Sequence, residues 1–311
     1  ISISELFNYL TIRDLAEYLE SKIEVNKENT ILIPKNEDME FYPASSGQRR
    51  MYFADQSIEN QTLYNFPMIF ELIGNVDKTR INDVLQKMVD RQGVLRTSLD
   101  VVDGNLVQKV EKHIDFILEE NECEDSLLDE FIQNYLIRQF DMTVAPIFRA
   151  NFIECTSGKK YLFLDIHHAI MDGYSMLVFF NDFFALYEKK ELPELLIQFT
   201  DYAIWEENAY KNNLFYSQNE YWINQLSNFP EPLNLNTDFM RPNVQSSEGD
   251  VYDFVINSEL CSKLIQLAKN RNVTLFPVLL AGFYIFIYKQ TNQDDFIVGI
   301  PTAGRFDNSI E

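Results

Sequence analysis

Two periods of apolar residues alternate along this chain. From Ile1 to about Lys22, Leu6, Ile12, Leu15, Ala16 and Leu19 fall near a 3.6-residue period, which predicts a helix with Thr11 as a candidate N-cap. A polar stretch from Glu24 to about Glu40 follows. It is broken by Ile31-Leu32-Ile33-Pro34 and reads as a linker lying on a neighbouring surface. The main domain starts near Phe41, with a helix from about Ser46 to Asp55, a strand over Phe66 to Ile73 and an amphipathic helix over Asp77 to Arg91. Thr97 to Val110 predicts a hairpin around Asp103-Gly104, a dipeptide suited to the positive φ of a tight turn. A helix over about Ser126 to Arg138 comes next. Strands Ile147 to Cys155 and Tyr161 to His168 then flank a turn at Ser157-Gly158.

The second half repeats the mixture. Met176 to Phe184 is apolar nearly all round, so that helix is expected to be buried on most sides. Tyr202 to Tyr221 predicts further helix, and Leu233 to Pro242 an extended crossover between lobes. Val251 to Ile256 and Asp295 to Ile300 read as strands, Ser258 to Arg271 and Thr274 to Tyr288 as helices. The apolar run Phe276 to Tyr288 is too short to span a bilayer and contains Pro277, so it is expected to be a core helix. The class is mixed α/β with two lobes.

Composition narrows the function. A chain of 311 residues exceeds the usual single-domain size, and 46% apolar residues suffice for sizeable cores. A formal net charge of −22 argues against nucleic acid and anionic membrane as partners, since both repel such a surface. Cys123, Cys155 and Cys261 lack metal-site or redox spacing, so reduced thiols in a cytoplasmic protein, and no metal centre, are expected. The N-terminus lacks the character of a signal peptide.

The candidate chemistry lies at His167-His168-Ala169-Ile170-Met171-Asp172-Gly173, which gathers two of three histidines at the end of an apolar run. Imidazole holds or moves a proton near neutral pH. Alternation along a strand sends the two rings to opposite faces, His168 with Leu162, Leu164 and Ile166, His167 with Tyr161, Phe163 and Asp165. One ring can face a substrate while the other is held inside, and Asp165 is the candidate partner that orients His167. Gly173 leaves room for a narrow ligand. The plainer reading, a hydrogen-bonded histidine pair ending a core strand, stays open on these residues alone.

Other motifs carry a family resemblance. His167-His168-x-x-x-Asp172-Gly173-Tyr174-Ser175 resembles the active-site motif of condensation domains of nonribosomal peptide synthetases. Ser45-Ser46-Gly47-Gln48-Arg49-Arg50-Met51-Tyr52 resembles the family's opening motif, and Arg91 to Thr97 its next, with Gln92-Gly93 where His-Glu is usual. Tyr202-Ala203-Ile204-Trp205, Tyr221-Trp222 and Gly299 to Arg305 continue the match in order. Leu6 to Leu19 is similar to the last helix of a peptidyl carrier domain.

The resemblance implies a chloramphenicol-acetyltransferase-like, V-shaped fold of two lobes. The expected parts are a carrier helix (1–22), a linker (23–40), an N-terminal lobe (41–210) and a partial C-terminal lobe (211–311) cut short at Glu311, so that the chain alone could be inactive. It implies peptide-bond formation between a donor thioester and an acceptor amine, each on the phosphopantetheine arm of a partner carrier domain. Upstream and downstream peptidyl carrier domains and a neighbouring adenylation domain would be the partners. His168, with His167, Asp172 and Gly173, would form the catalytic motif, and a buried Asp172–Arg305 pair would brace its loop. Trp205 and Trp222 read as helix-docking aromatics, and His113 as incidental. Arg49, Arg50, Arg91 and Arg96 could meet carrier phosphates or pair within the protein. An epimerase is disfavoured by Met176 and by Thr302-Ala303, where Trp and Glu are expected. Heterocyclisation is disfavoured by the intact histidines. A coenzyme A-dependent acyltransferase and a non-catalytic carrier-docking platform are the remaining alternatives.

Overall fold

Local chemistry sets the first boundaries in the structure, a computed structural model that describes residues 33–57, 62–240, 242–243, 249–305 and 310. The helix expected over 1–22 and the linker up to Leu32 lie outside these residues. Ile33 is buried, and the Asn36 amide donates to Asp201 Oδ1 at 2.7 Å, so the end of the linker lies on a helix much later in sequence. After β1 (Tyr42–Pro43), Ser45 and Gln48 close a capping box on α1 (Ser46–Gln56). Glu206 adds a carboxylate at the same N-terminus, accepting from the Ser46 amide and hydroxyl at 2.7 Å each.

Strand β2 (Asn65–Leu72) leads to α2 (Lys78–Arg91), capped by Asp77, whose Ile81, Val84, Leu85, Met88 and Val89 form a buried stripe. The hairpin β3 (Thr97–Val102) and β4 (Asn105–Val110) turns at Asp103 and Gly104, with φ of 50° and 79°. Beyond β5 (Glu119–Cys123) the helix expected as one piece is three. A 3₁₀ turn at Asp125–Leu127 precedes α3 (Leu128–Phe131), and a π-helical turn at Ile132–Leu136 brings Ile132 and Leu136 against Ile153, Cys155 and Phe163. The hairpin β6 (Phe148–Cys155) and β7 (Lys160–His167) follows, with Gly158 at φ 84°.

These strands form two sheets, β1-β4-β3 and β2-β7-β6-β5. The second is antiparallel except for β5, which runs parallel to β6. Period-two alternation divides β7 cleanly. Leu162, Leu164 and Ile166 enter the main core with α2 and with Phe179 and Phe183 of α4 (Gly173–Tyr187), while Phe163 enters a smaller core on the other face.

Helix α4 is less enclosed than its composition predicts: Leu177 and Phe184 are exposed, and Asp182 forms an ion pair with Arg91 at 3.3 Å. Helix α5 (Phe199–Lys211) supplies Glu206 and the Asp201 that holds Asn36.

The chain divides into two compact units. One comprises the described residues up to Leu214 together with those from Ala303 onward, and the other is Phe215–Thr302. The second holds α6 (Tyr216–Gln225), α7 (Ser258–Asn270) and α8 (Leu275–Thr291). Two expectations fail in it. Residues 251–256 and 295–300 form no strand, because a strand is a paired object and neither segment has a hydrogen-bonded partner among the described residues. The apolar α8 is not a core helix either. Only its Ile287 is buried, and α7 is the element packed most against it. No single described helix is long and apolar enough to cross a membrane.

Candidate active site

β7 ends on His167, and four hydrogen bonds shape the turn that follows. The His167 amide donates to Ile147 O at 3.1 Å and the His168 amide to Tyr64 O at 2.8 Å. The Ala169 amide donates to His167 Nδ1 at 3.1 Å, and the Ile170 amide to His167 O at 3.1 Å. His167 is 1% exposed, whereas His168 is exposed, with its ring centroid 6.1 Å from that of Phe66. The two rings therefore differ in kind. Burial, with the neighbouring His168, lowers the His167 pKa to about 4 and leaves its ring neutral at pH 7.

Four residues on, Asp172 caps α4: its Oδ1 accepts from the Ser175 amide at 2.7 Å and hydroxyl at 2.6 Å. Arg305 Nη2 lies 3.2 Å from Asp172 Oδ2 and donates to Ser175 Oγ at 3.4 Å. Burial alone would raise the Asp172 carboxyl. The Ser175 hydrogen bonds, followed by Arg305, outweigh it and hold the pKa below the usual carboxylate range. The pair is not buried as expected, since its side chains are 26% and 38% exposed. Gly173, the first helical residue, is exposed, and a Cβ placed on it would meet no atom within 4 Å.

Asp165 is not the partner of His167. It is fully buried, accepts from Asn65 Nδ2 at 2.8 Å and lies 3.4 Å from Arg149 Nε. The β6–β7 register explains this, because it sets Arg149 directly opposite Asp165 and Asn65 opposite His167 on β2. Burial raises Asp165 to about 6 against the pull of Arg149 and Asn65. Burial also lowers Arg149 to about 10, while Asp165 draws it back up. The carboxylate beside His167 is Asp55 of α1, with Oδ1 3.7 Å from Nε2. Sequence reasoning missed Asp55 and Arg149. The β6–β7 register is centred on Ser157, so counting strand pairs outward from that residue reaches Arg149 opposite Asp165; no local signal pointed to Asp55.

The remaining candidates have other tasks. Arg49 Nε donates to Ala44 O at 2.9 Å, and Arg96 donates to Val89 O and the carbonyls of Asp90, Glu111 and Lys112. His113 lies at the surface between Asp90 and Asp115, and Trp222 is exposed against Tyr221. Cys123 and Cys155, paired across β5 and β6, are free thiols with sulfurs 3.6 Å apart, a proximity that their spacing of 32 residues conceals.

Comparison with known proteins agrees with this architecture. The family profile described as "Condensation domain" matches residues 38–311. Bacitracin synthase 2 of Bacillus licheniformis is 37% identical over 311 residues, all of this chain and 12% of the synthase. Surfactin synthase subunit 1 of Bacillus subtilis (strain 168) is 36% identical, over 98% of this chain and 8% of that protein. The chain thus spans only a small part of these relatives. Among solved structures, AB3403, a four-domain nonribosomal peptide synthetase bound to AMP and glycine, superposes with a TM-score of 0.74 at 22% identity, over 91% of this chain and 22% of that one. The first condensation domain of the calcium-dependent antibiotic synthetase, in complex with a substrate analogue, gives 0.70 at 18%, over 86% and 66%. The chain belongs to the condensation domain family.

Proposed function

We propose that this chain forms amide bonds between two thioester-bound substrates, with His168 at the reacting centre. The observation that carries the reading is the division of the histidine pair into one sealed, neutral ring and one exposed ring, beside a glycine with open space. The amine nitrogen of an acceptor aminoacyl thioester attacks the carbonyl carbon of a donor acyl or peptidyl thioester. The C–N bond forms, the C–S bond breaks, the donor arm leaves as thiolate, and the amine proton passes to that sulfur or to solvent. Phosphopantetheine arms on upstream and downstream carrier domains would bear the substrates, and the free space at Gly173 suits so thin a chain.

An α-amino group has a pKa near 8, so roughly a tenth of it is already neutral at pH 7. A strong base is not required. Alignment supplies effective molarities of ~10⁵ M or more. The role of His168 is to hold the amine by a hydrogen bond and to stabilise the charge that develops on it. His167, buried and neutral, holds the turn rather than touching substrate. Asp172, fixed by Ser175 and Arg305, sets the start of α4. A cytoplasmic location and an adenylation domain that activates the acceptor fit this chemistry.

The test uses the natural polypeptide that carries this chain, with donor- and acceptor-loaded carrier domains, and mass spectrometry of the acceptor. A dipeptidyl acceptor that vanishes with His168→Ala supports the reading. Hydrolysis of the donor thioester without amide product refutes it.

A further inference from the structure

We propose that Asp55 is a positioning residue for this reaction: its carboxylate receives the Nε2–H of His167 and so fixes the ring at the root of the His168 turn. The inference rests on the amide-forming reading above.

His167 Nδ1 already accepts the Ala169 amide. A neutral ring with Nδ1 so engaged must carry its proton on Nε2. That nitrogen is buried and has no hydrogen-bond partner in the structure, and neither does the buried Asp55 Oδ1. The two orphaned atoms lie 3.7 Å apart, on side chains 1% and 3% exposed. A shift of about 0.5 Å brings them into ordinary hydrogen-bond range.

The groups that face His167 from each side leave this role to Asp55. On its own strand, Asp165 Oδ2 is engaged by Asn65 of β2 and lies 3.4 Å from Arg149 of β6. Asp165 Oδ1 and Asn65 Oδ1 are also buried without a hydrogen bond, but among the described residues Asp55 is the carboxylate in ion-pair range of the ring. His168 points away to the surface, and Phe140 meets the ring edge-on at 6.2 Å with no polar atom to offer. Burial raises the Asp55 carboxyl, and a weak hydrogen bond from Gln56 at 3.4 Å opposes that. A charge-accepting contact with Nε2–H would favour the ionised form. Positioning matters because the His167 ring, through Nδ1, and its carbonyl together hold the amides of Ala169 and Ile170. A rotated ring would release the turn and swing His168.

The experiment labels the natural polypeptide that carries this chain with ¹⁵N-histidine and assigns the His167 ring by its loss in a His167→Gln variant. The wild type is expected to show His167 as the Nε2–H form with a slowly exchanging ring proton. Asp55→Leu, which offers no acceptor, is expected to speed that exchange and to lower kcat by about 10- to 100-fold with acceptor KM within twofold. Asp55→Asn, which keeps an acceptor oxygen, is expected to retain the Nε2–H form and to turn over at least fivefold faster than Asp55→Leu. The proposal is overturned if wild-type His167 is protonated on Nδ1, if Asp55→Leu matches the wild type in exchange and turnover, or if the two variants lose turnover equally. If Asp55→Leu fails to fold, Asp55→Asn decides alone by keeping or losing the Nε2–H form. The ring spectrum needs no substrate. Absence of amide product from the wild type therefore refutes the reaction while leaving the Asp55 contact measurable.

Discussion

Arg305 reaches Asp172 across 133 positions of sequence and places Nη2 3.2 Å from Oδ2, with Ser175 Oγ sharing the same donor. Both side chains keep contact with solvent, so the pair contributes at most about 1 kcal/mol to stability, well short of a buried pair. Arg305→Ala is accordingly expected to shift urea unfolding by less than that while lowering turnover, because its task is to hold the carboxylate at the head of α4. A loss near 4 kcal/mol would show the pair to be a stability element instead.

The cap separates two substitutions at Asp172. Asparagine caps a helix as well as aspartate does, and alanine does not. Asp172→Asn is expected to keep the Ser175 contact and nearly all stability, whereas Asp172→Ala loses about 1 kcal/mol. Urea unfolding of both, beside turnover, distinguishes loss of the cap from loss of the Arg305 contact. Equal stability of the two variants would show that Ser175 does not depend on this carboxylate.

His168 is expected to tolerate replacement by a residue that keeps a hydrogen bond better than replacement by one that does not. If the ring mainly holds the amine, His168→Gln retains measurable amide formation where His168→Ala retains almost none. Equal loss in a single-turnover assay would assign His168 the proton transfer itself.

Gly173 has open space where a side chain would stand, at the first position of α4. Gly173→Leu is expected to leave stability unchanged or raise it by up to about 1 kcal/mol, since glycine is a poor helix former. Its bulk would fill the open space at Gly173 and, if the arm passes there, lower turnover steeply. A normal rate in the carrier-to-carrier assay would show that the arm does not pass Gly173.

Much of the first unit was legible because its boundaries rest on local chemistry. Asp103-Gly104 and Ser157-Gly158 announced turns whose positive φ the structure contains, and Asp77 capped the helix that the 3.6 period marked. Alternation separated the two cores on β7, but His168 is exposed because it lies beyond the end of that strand. The misses share a different cause. Asp165 lost its expected role because a strand neighbour, Arg149, lies nearer than a residue two positions along the same strand. Asp55 was invisible because nothing in α1 announces that the helix passes His167. Residues 251–256 and α8 read correctly as apolar, but pairing and burial are properties of neighbours, and composition does not say whether those are present.

Two buried titrating groups on β7 bias stability in opposite directions over the same range of pH. His167 has a folded pKa of about 4, below the ordinary imidazole value near 6.5. Between those values the unfolded chain binds a proton that the native state refuses, so stability falls as pH drops from 6.5 toward 4. Asp165 has a folded pKa of about 6, above the ordinary 3.8. There the native state binds the extra proton, so its contribution rises as pH drops from 6 toward 4. In the wild type the two slopes oppose each other. Asp165→Asn removes the second and keeps a partner for Asn65 and Arg149. Its unfolding free energy, measured in urea at half-unit steps, is therefore expected to fall more steeply than the wild type's between pH 6 and 4. Coincident slopes would mean that Asp165 is ionised throughout and that Arg149 wholly offsets its burial.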